Sequence, residues 1–351
     1  MKRTIIKVLL FSVIILTGQS LVTDGIAAQD PNPKFYIFLG IGQSNMQGKG
    51  TIETADNSDY SISFNKKRWA RYKKLIIVNS DPSKVGTWTT AKPPIVRPDT
   101  KLGVTDYFGR YLVKNLDVSD TIGVAVVAVD GASIKAFSKD QNVAKRYIDD
   151  GNTGSWVKEA AAQYGNYPYG KIVEMGKIAQ QSGIIKGIIF HQGETDVTNC
   201  TEQQGNAWLA SVYELYTNLL EDLNLSIDSV PFIAGEPVSQ EFGGVCYSAI
   251  PWVDKIPDYF KQQSGKDIAY VASSEGLTSM DEYHFSSEGY RTIGERYGEI
   301  MLPILLAQEA KASVLIPSED KEYVIYDLLG RRLETPQKGI NIINGKKVVI
   351  R

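Results

Sequence analysis

The stretch Lys34-Phe-Tyr-Ile-Phe-Leu-Gly-Ile-Gly-Gln-Ser-Asn-Met46 places an apolar run directly before a short polar turn. Residues 34–39 are mostly apolar and are followed by glycine, which is typical of a strand that is covered on both faces. A strand of this kind belongs to a parallel sheet with helices on both sides. Ligands of such sheets bind beyond the carboxyl ends of the strands. We therefore expect the functional site at the turn that follows residue 39.

Similar apolar runs and helical patterns alternate along the rest of the chain. The further strands are predicted at residues 121–129, 184–190, 231–234 and 268–272. The helices are predicted at residues 106–114, 169–181, 206–223, 252–263 and 287–306. This alternation predicts an α/β protein with three layers, α/β/α, around a parallel five-stranded sheet.

The pattern changes near the C-terminus, from about Ser313. Residues 323–327 alternate in polarity, and residues 340–350 are typical of a hairpin with an Asn344-Gly345 turn. We expect a main domain over residues 29–310 and a small β appendage over residues 311–351. The alternative is a terminal strand pair that belongs to the main domain.

The N-terminus has the pattern of a signal peptide over residues 1–28. Basic residues precede an apolar stretch at 8–17, and small residues follow at 25–28. No later stretch is long and apolar enough for stable membrane insertion. The whole chain has a net charge of −2, and loss of the basic leader makes it more acidic, which disfavours nucleic acid as a partner.

The glycines near residue 40 imitate phosphate-binding motifs but complete none of them. The Gly40-x-Gly42-x-x-Asn45 pattern lacks the third glycine of a dinucleotide fingerprint. The Gly48-Lys49 pair suggests a P-loop, yet Gly50 stands where a hydroxyl residue should bind magnesium. Nucleotide binding is therefore disfavoured.

A serine nucleophile fits the same turn better. Ser44 follows a strand end, although Met46 departs from the Gly-x-Ser-x-Gly elbow of α/β-hydrolases. The chain has two histidines, His191 and His284. His284 is the candidate base, because Asp281 three residues earlier can orient its ring.

Donors for a developing oxyanion follow other strands of the predicted sheet. The backbone N–H groups of Ser44 and Gly131 and the side chain of Gln192 are the candidates. Because all the carboxyl ends of a parallel sheet lie at one edge, these residues should meet there. Cys200 and Cys246 are the two cysteines, and whether they form a disulfide stays open.

Four blocks of the sequence resemble the SGNH/GDSL hydrolase superfamily, which has a flavodoxin-like fold. The resemblance is closest to the branch that holds sialate O-acetylesterase and the family 6 carbohydrate acetylesterases. The first block is Gly-Gln-Ser-Asn-Met at 42–46, and the second is Asp130-Gly-Ala-Ser-Ile134. The third is His-Gln-Gly-Glu at 191–194, and the last is Asp281-x-x-His284. Asp130 departs from the Gly-Gly start that is usual in this family.

The resemblance implies roles for the matched residues. It makes Ser44 the nucleophile, and it puts Gln192 where the superfamily has its oxyanion asparagine. It leaves open whether Asp281 or Glu194 is the acid partner of His284. If the two acids share that role, Asp281→Ala should cost much less activity than His284→Ala. Three further residues are expected to line the pocket or support its loops: Gln43, Asn45 and His191.

The implied activity is that of a serine carboxylic ester hydrolase that removes O-acetyl groups from carbohydrate, with no metal or organic cofactor. Xylan or another plant polysaccharide and O-acetylated sialic acid are both open as substrates. A non-catalytic carbohydrate-binding protein is the alternative of another class. Five aromatic residues in predicted loops are candidates for a sugar cleft: Trp88, Trp156, Tyr164, Tyr167 and Tyr169.

The C-terminal tail carries a second, shorter resemblance. Residues 326–332, 336–339 and 342–350 are similar to C-terminal sorting tails of the type IX secretion route. This implies secretion machinery as a partner and a location outside the cell or at its surface. A periplasmic location is the alternative.

Overall fold

The computed structural model describes residues 35–57, 72–76, 86–116 and 121–315, with short C-terminal pieces at 325–327, 331–333, 337, 339–343 and 346–350. The predicted signal peptide and the Asn344-Gly345 turn lie outside the described residues.

The main sheet has seven strands in the order β3-β2-β4-β1-β5-β6-β7. These are β1 (Phe35–Gly42), β2 (Tyr72–Ile76), β3 (Thr87–Thr90), β4 (Thr121–Ala128), β5 (Ile184–His191), β6 (Phe232–Gly235) and β7 (Ala269–Ala272). The five predicted strands are confirmed as β1, β4, β5, β6 and β7, which are contiguous and parallel.

Two further strands extend the sheet at one edge. β2 pairs with β4 in parallel, and β3 pairs with β2 antiparallel. Neither has the continuous apolar run by which the other five were predicted, since β2 contains Lys73 and Lys74 and β3 contains three threonines. Charged and hydroxyl side chains are common where a strand lies at a sheet edge.

Eleven α-helices are assigned within the described residues. They are α1 (Ser44–Gln47), α2 (Thr54–Asn57), α3 (Val104–Asn115), α4 (Gln141–Asp149), α5 (Ser155–Ala162), α6 (Pro168–Gln180), α7 (Glu194–Val197), α8 (Glu202–Asp222), α9 (Ile250–Val253), α10 (Ile256–Ser264) and α11 (Ser287–Leu315). The single helix predicted at 252–263 is wrong, because the segment is divided between α9 and α10. Pro257 lies in the first turn of α10, and without an amide hydrogen it cannot continue a preceding helix. Among the described helices, none is long and apolar enough to cross a membrane.

Two hydrophobic clusters cover the two faces of the sheet. Ile37, Leu39 and Ile41 of β1 belong to a cluster that includes residues of α6 and α8. Tyr36 and Phe38, which alternate with them, belong to a second cluster that includes residues of α3 and α11. Alternate side chains of a strand point to opposite faces, so β1 is buried on both sides, as its apolar run predicts.

The C-terminal strands form a sheet of their own. β8 (Ile325–Tyr326), β9 (Arg332–Leu333), β10 (Gly339–Ile343) and β11 (Lys346–Ile350) are antiparallel, in the order β11-β10-β8-β9. Ile343 lies opposite Lys346, which is the register of the predicted hairpin. The helix α11 continues to Leu315, past the predicted domain boundary at residue 310.

Candidate active site

The end of β1 meets the ends of its two neighbours at the rim of the sheet. Gly42 is the register partner of Ala128 in β4 and of His191 in β5. A Cβ atom at Gly42 would lie 2.1 Å from the carbonyl oxygen of His191, so this position requires glycine. The close approach lets the Gln43 N–H donate to that carbonyl at 2.9 Å. The first and third sequence blocks are thereby held together.

Ser44 is the first residue of the one-turn helix α1. Backbone hydrogen bonds from Gln47 N–H to Gln43 O and from Gly48 N–H to Ser44 O, both 2.8 Å, fix this turn. The turn places Ser44 at the wall of a pocket of about 710 Å³. Only 4% of the Ser44 surface is exposed, so its hydroxyl faces the pocket and not bulk solvent.

His284 lines the same pocket and is held by Asp281. The Asp281 Oδ2 atom lies 2.8 Å from His284 Nδ1. Its Oδ1 atom accepts the backbone N–H groups of Tyr283 and His284, each at 2.8 Å. We assign the ring proton to Nδ1 from this geometry, which leaves Nε2 as the proton acceptor.

The electrostatics of Asp281 agree with that assignment. Burial alone would raise the pKa of this carboxyl, but hydrogen bonds from the His284 ring and from two backbone N–H groups outweigh it and lower the pKa. A carboxylate that stays ionised can hold an imidazole in one orientation and stabilise its charged form. In the described part of the chain, Ser44 and His284 share the pocket without a direct hydrogen bond between them. Such bonds often tighten only when substrate is present.

Two residues that line the pocket, Ser44 and Gly131, have backbone amides that are candidate donors to an oxyanion. Among the described residues, neither the Ser44 N–H nor the Gly131 N–H donates to a protein acceptor. Gly131 has φ of +63°, and a Cβ atom there would lie 2.6 Å from the Trp156 Nε1 atom. Glycine at this position therefore lets the loop turn and lets the indole lie against it.

The side chain of Gln192, which was predicted to donate to the oxyanion, has protein partners instead. Its Nε2 atom lies 2.5 Å from Asp196 Oδ2 and 3.1 Å from the carbonyl oxygen of Ala132. Its Oε1 atom accepts the Trp208 indole N–H at 2.8 Å. Because both amide hydrogens have protein acceptors and the side chain is buried, the geometry favours a loop-supporting role for Gln192.

Asp196 joins the loops that follow β4 and β5, a role the sequence analysis missed. Its carboxylate accepts the Ser133 hydroxyl at 2.5 Å and the Ile134 N–H at 2.8 Å, besides the Gln192 amide. Burial raises the pKa of Asp196, although these hydrogen bonds oppose the shift. The signal was present, because Asp196 closes the same polar segment that begins with His191.

Asn45 ties the nucleophile turn to two other segments. Its Nδ2 atom donates to Glu194 Oε1 at 3.1 Å and to the carbonyl oxygen of Tyr283 at 3.0 Å. Its Oδ1 atom accepts the Tyr290 hydroxyl at 2.8 Å. The fully buried Asn45 therefore supports the loop next to His284.

Glu194 lines the same pocket as His284, but its hydrogen-bond partner is Asn45. No hydrogen bond or ion pair joins it to His284 within the described residues, and burial raises its pKa to about 7. Its Oε1 atom lies 3.9 Å from His191 Nε2. The geometry therefore favours Asp281 as the acid partner of His284.

His191 lies below the pocket, where burial lowers its pKa to about 3. Its Nδ1 atom is 3.2 Å from the Tyr297 hydroxyl, which itself donates to the carbonyl oxygen of Phe190 at 2.7 Å. Nδ1 must therefore be the donor to Tyr297. This neutral, buried ring supports the loop after β5.

The remaining candidates differ in their positions. Trp88 was wrongly predicted in a loop, since it lies in β3 and packs on Phe35 with ring centroids 4.7 Å apart. The loop prediction is also wrong for Trp156, which lies in α5, and for Tyr169, which lies in α6. Tyr164 and Tyr169 are buried, whereas Trp156 lines the pocket and is 58% exposed.

The Lys49 ammonium contacts the Asp130 carboxylate, and Cys200 and Cys246 are not joined by a disulfide.

Solved structures with a similar fold include a protein from Arabidopsis thaliana. It has 20% sequence identity and a TM-score of 0.53, and the match covers 77% of this chain and 99% of that chain. A carbohydrate acetylesterase from Xanthomonas citri has 13% identity and a TM-score of 0.49, with 77% of this chain and 57% of that chain covered. NanS has 14% identity and a TM-score of 0.47, with 79% and 98% covered.

A family model matches most of the chain, over residues 34–303. Its description is carbohydrate esterase, sialic acid-specific acetylesterase. The matched range contains the Ser44 turn, the loops after β4 and β5 and the Asp281–His284 pair. The chain therefore belongs to this family of carbohydrate acetylesterases, which are carboxylic ester hydrolases.

Proposed function

We propose that the protein is a secreted serine esterase that removes O-acetyl groups from a polysaccharide such as acetylated xylan. The observation that carries the proposal is the meeting of Ser44 and His284 at one pocket, with His284 oriented by Asp281 at 2.8 Å. Secretion is supported by the basic and apolar pattern of residues 1–28.

Acylation begins when the Ser44 hydroxyl attacks the ester carbonyl carbon. His284 Nε2 takes the hydroxyl proton, and the carbonyl π electrons move to oxygen. The N–H groups of Ser44 and Gly131 are placed to stabilise that oxyanion. The intermediate then collapses, the C–O bond to the sugar breaks, and the imidazolium gives its proton to the leaving sugar oxygen.

Deacylation repeats the same steps with water. His284 removes a proton from water as it attacks the acetyl-enzyme, and the second tetrahedral intermediate releases acetate. The proton returns to the Ser44 oxygen. Asp281 stays ionised throughout, and its low pKa suits that role because it then stabilises each imidazolium.

O-acetylated sialic acid is the second candidate substrate. The description of the matching family, which names sialic acid, supports it. The chemistry at the acetyl group is the same for either sugar. A non-catalytic carbohydrate-binding protein is the alternative of another class.

The test is acetate release from acetylated xylan, acetylated simple sugars and O-acetylated sialic acids, comparing the natural protein with Ser44→Ala and His284→Ala. We expect both substitutions to reduce kcat by at least about a thousandfold. Ser211→Ala removes a serine hydroxyl on α8 that donates to the Ala207 carbonyl oxygen outside the pocket, and it serves as the matched control. Activity that survives Ser44→Ala would refute the mechanism, and glycan binding without hydrolysis of any ester would favour the non-catalytic alternative.

A further inference from the structure

A second cleft of about 710 Å³ adjoins the pocket that holds Ser44. Three residues, Gly131, Trp156 and Thr195, line both cavities. One of these is the glycine whose N–H is a candidate donor to the oxyanion. A ligand whose acetyl group lies at Ser44 can therefore extend past Trp156 into the second cleft.

The second cleft carries two positive charges. Lys135 and Arg146 both line it, and both side chains are exposed. Neither has an ion-pair partner among the described residues. Asp150 is the carboxylate residue that lines the same cleft, and one of its oxygen atoms accepts the Asn152 N–H at 2.7 Å. With two cations and one carboxylate, the lining has an excess of positive charge.

Trp156 separates the two cavities and is held in place by two glycines. A Cβ atom at Gly154 would lie 2.5 Å from the indole, and one at Gly131 would lie 2.6 Å from it. The indole therefore lies directly against backbone at these two places, and 58% of the residue stays exposed. An exposed, fixed aromatic face is a surface on which the C–H face of a sugar ring can lie.

We propose that the second cleft binds the carboxylate of a uronic acid branch next to the acetylated sugar, so that the enzyme prefers acetylated polysaccharides that carry such branches. This inference rests on the proposed function and names its substrate class. Lys135 and Arg146 bind the carboxylate, and Trp156 carries the sugar ring that connects it to the acetylated position. Arg and Lys bind carboxylates through charge-assisted hydrogen bonds, and a cleft wall reduces their screening by solvent.

A glucuronic acid branch of a polysaccharide has this chemistry. The test substrates are an acetylated xylo-oligosaccharide with a glucuronic acid branch, its carboxyl-reduced counterpart, O-acetylated sialic acid and the methyl ester of that sialic acid. For each acidic and neutral pair, the ratio of kcat/KM values is measured. We expect a ratio above one for the xylo-oligosaccharide pair. A ratio above one for the sialic acid pair alone would show recognition only of the sugar named for the family, and it would overturn the inference.

The decisive variant is Lys135→Gln combined with Arg146→Gln. We expect it to lower the acidic-to-neutral ratio of the xylo-oligosaccharide pair by at least about tenfold, since loss of one charge-assisted contact has that effect and the variant removes two. Hydrolysis of 4-nitrophenyl acetate, which is too small to reach the cleft, should not change. The matched control is Lys145→Gln combined with Lys158→Gln, which removes the same charge from α4 and α5 outside the cleft lining.

The inference is overturned if the natural protein treats acidic and neutral partners alike, or if the control lowers the ratio as much as the cleft variant. Failure of the proposed function gives a different result, namely no acetate from any carbohydrate. In that case calorimetric titration of Ser44→Ala with the acidic and the reduced oligosaccharide decides the role of the cleft. Equal affinities, or affinity unchanged by the Lys135 and Arg146 substitutions, would refute it.

Discussion

Asp281 holds His284 through both of its carboxylate oxygens, one on the ring Nδ1 atom and the other on the backbone N–H of the same histidine, each at 2.8 Å. Glu194, which the sequence left as an equal candidate, has Asn45 as its hydrogen-bond partner instead. This arrangement favours a larger effect of losing Asp281 than the sequence-based prediction, in which Asp281→Ala costs much less activity than His284→Ala. The hydrogen bond that orients the imidazole comes from Asp281.

We predict that Asp281→Asn lowers kcat about a hundredfold or more, because the amide can present a donor to Nδ1 and so favour the wrong tautomer. Glu194→Gln should lower kcat much less, since its side-chain oxygen can still accept from Asn45. Steady-state acetate release measures both. Glu282→Gln, a change in an exposed neighbouring acid, is the control. Equal losses from Asp281→Asn and Glu194→Gln would restore the shared-acid hypothesis.

Gly42→Ala should destabilise the folded protein where the end of β1 meets the end of β5. Its Cβ atom would lie 2.1 Å from the His191 carbonyl oxygen, which already accepts the Gln43 N–H. Backbone cannot move aside as a flexible side chain can, so we expect a loss of about 3 kcal/mol or more in the free energy of unfolding. Urea denaturation measures it. Gly151→Ala, where a Cβ atom meets nothing within 4 Å, should be nearly neutral. Similar midpoints for both variants would contradict the packing argument.

The backbone pattern could be predicted from the sequence where burial on both faces demands continuous apolar residues. That condition holds for β1, β4 and β5 and fails for the edge strand β3 and its neighbour β2. The Ser44 nucleophile and the Asp281-x-x-His284 pair followed from local blocks. The contacts that assign the other side chains are not local: Tyr290 reaches Asn45 across 245 positions. No short-range pattern could predict such a contact.

The role of Gln192 also depends on contacts that no local sequence pattern could predict. Gln192→Ala would leave the Trp208 indole N–H and one contact of buried Asp196 without partners. We expect a loss of about 2 kcal/mol in unfolding free energy and a smaller fall in kcat than the hundredfold or more that removal of an oxyanion donor costs. Thermal unfolding and acetate release on the same preparation measure both. Gln203→Ala, on the exposed first turn of α8, is the control. Unchanged stability with a large loss of kcat would support the oxyanion role instead.

Asn45→Asp tests the junction between the nucleophile turn and the His284 segment. The substitution replaces a donor with an acceptor that faces the Glu194 carboxylate and the Tyr283 carbonyl oxygen. We expect a loss of about 3 kcal/mol in stability from the buried, unpaired acceptor, and a fall in kcat as the His284 loop shifts. Chemical denaturation and kinetics provide the measurements. Asn142→Asp, at an exposed site on α4, should change neither stability nor kcat. Unchanged stability and kcat in Asn45→Asp would contradict the claim that Asn45 links the two segments.

Glu194 should make the stability of the protein depend on pH in an unusual direction. Its pKa is about 7 in the folded protein and 4.5 as an ordinary glutamate. Between these values the folded state binds more protons, so this contribution to stability is complete below pH 4.5 and is lost as pH rises to 7. The shift corresponds to about 3 kcal/mol.

Glu194→Gln has no such titration, so the stability of the natural protein relative to this variant should fall by about 3 kcal/mol between pH 5 and pH 8. His191 acts in the opposite direction, because its pKa falls from 6.5 to about 3 on folding and its contribution is lost as pH falls through that range. Both proteins contain His191, and its effect therefore cancels in the difference. Urea midpoints at several pH values measure that difference, with Glu214→Gln on the exposed side of α8 as the control. A difference that is constant from pH 5 to pH 8 would mean that Glu194 is ionised in the folded protein throughout that range.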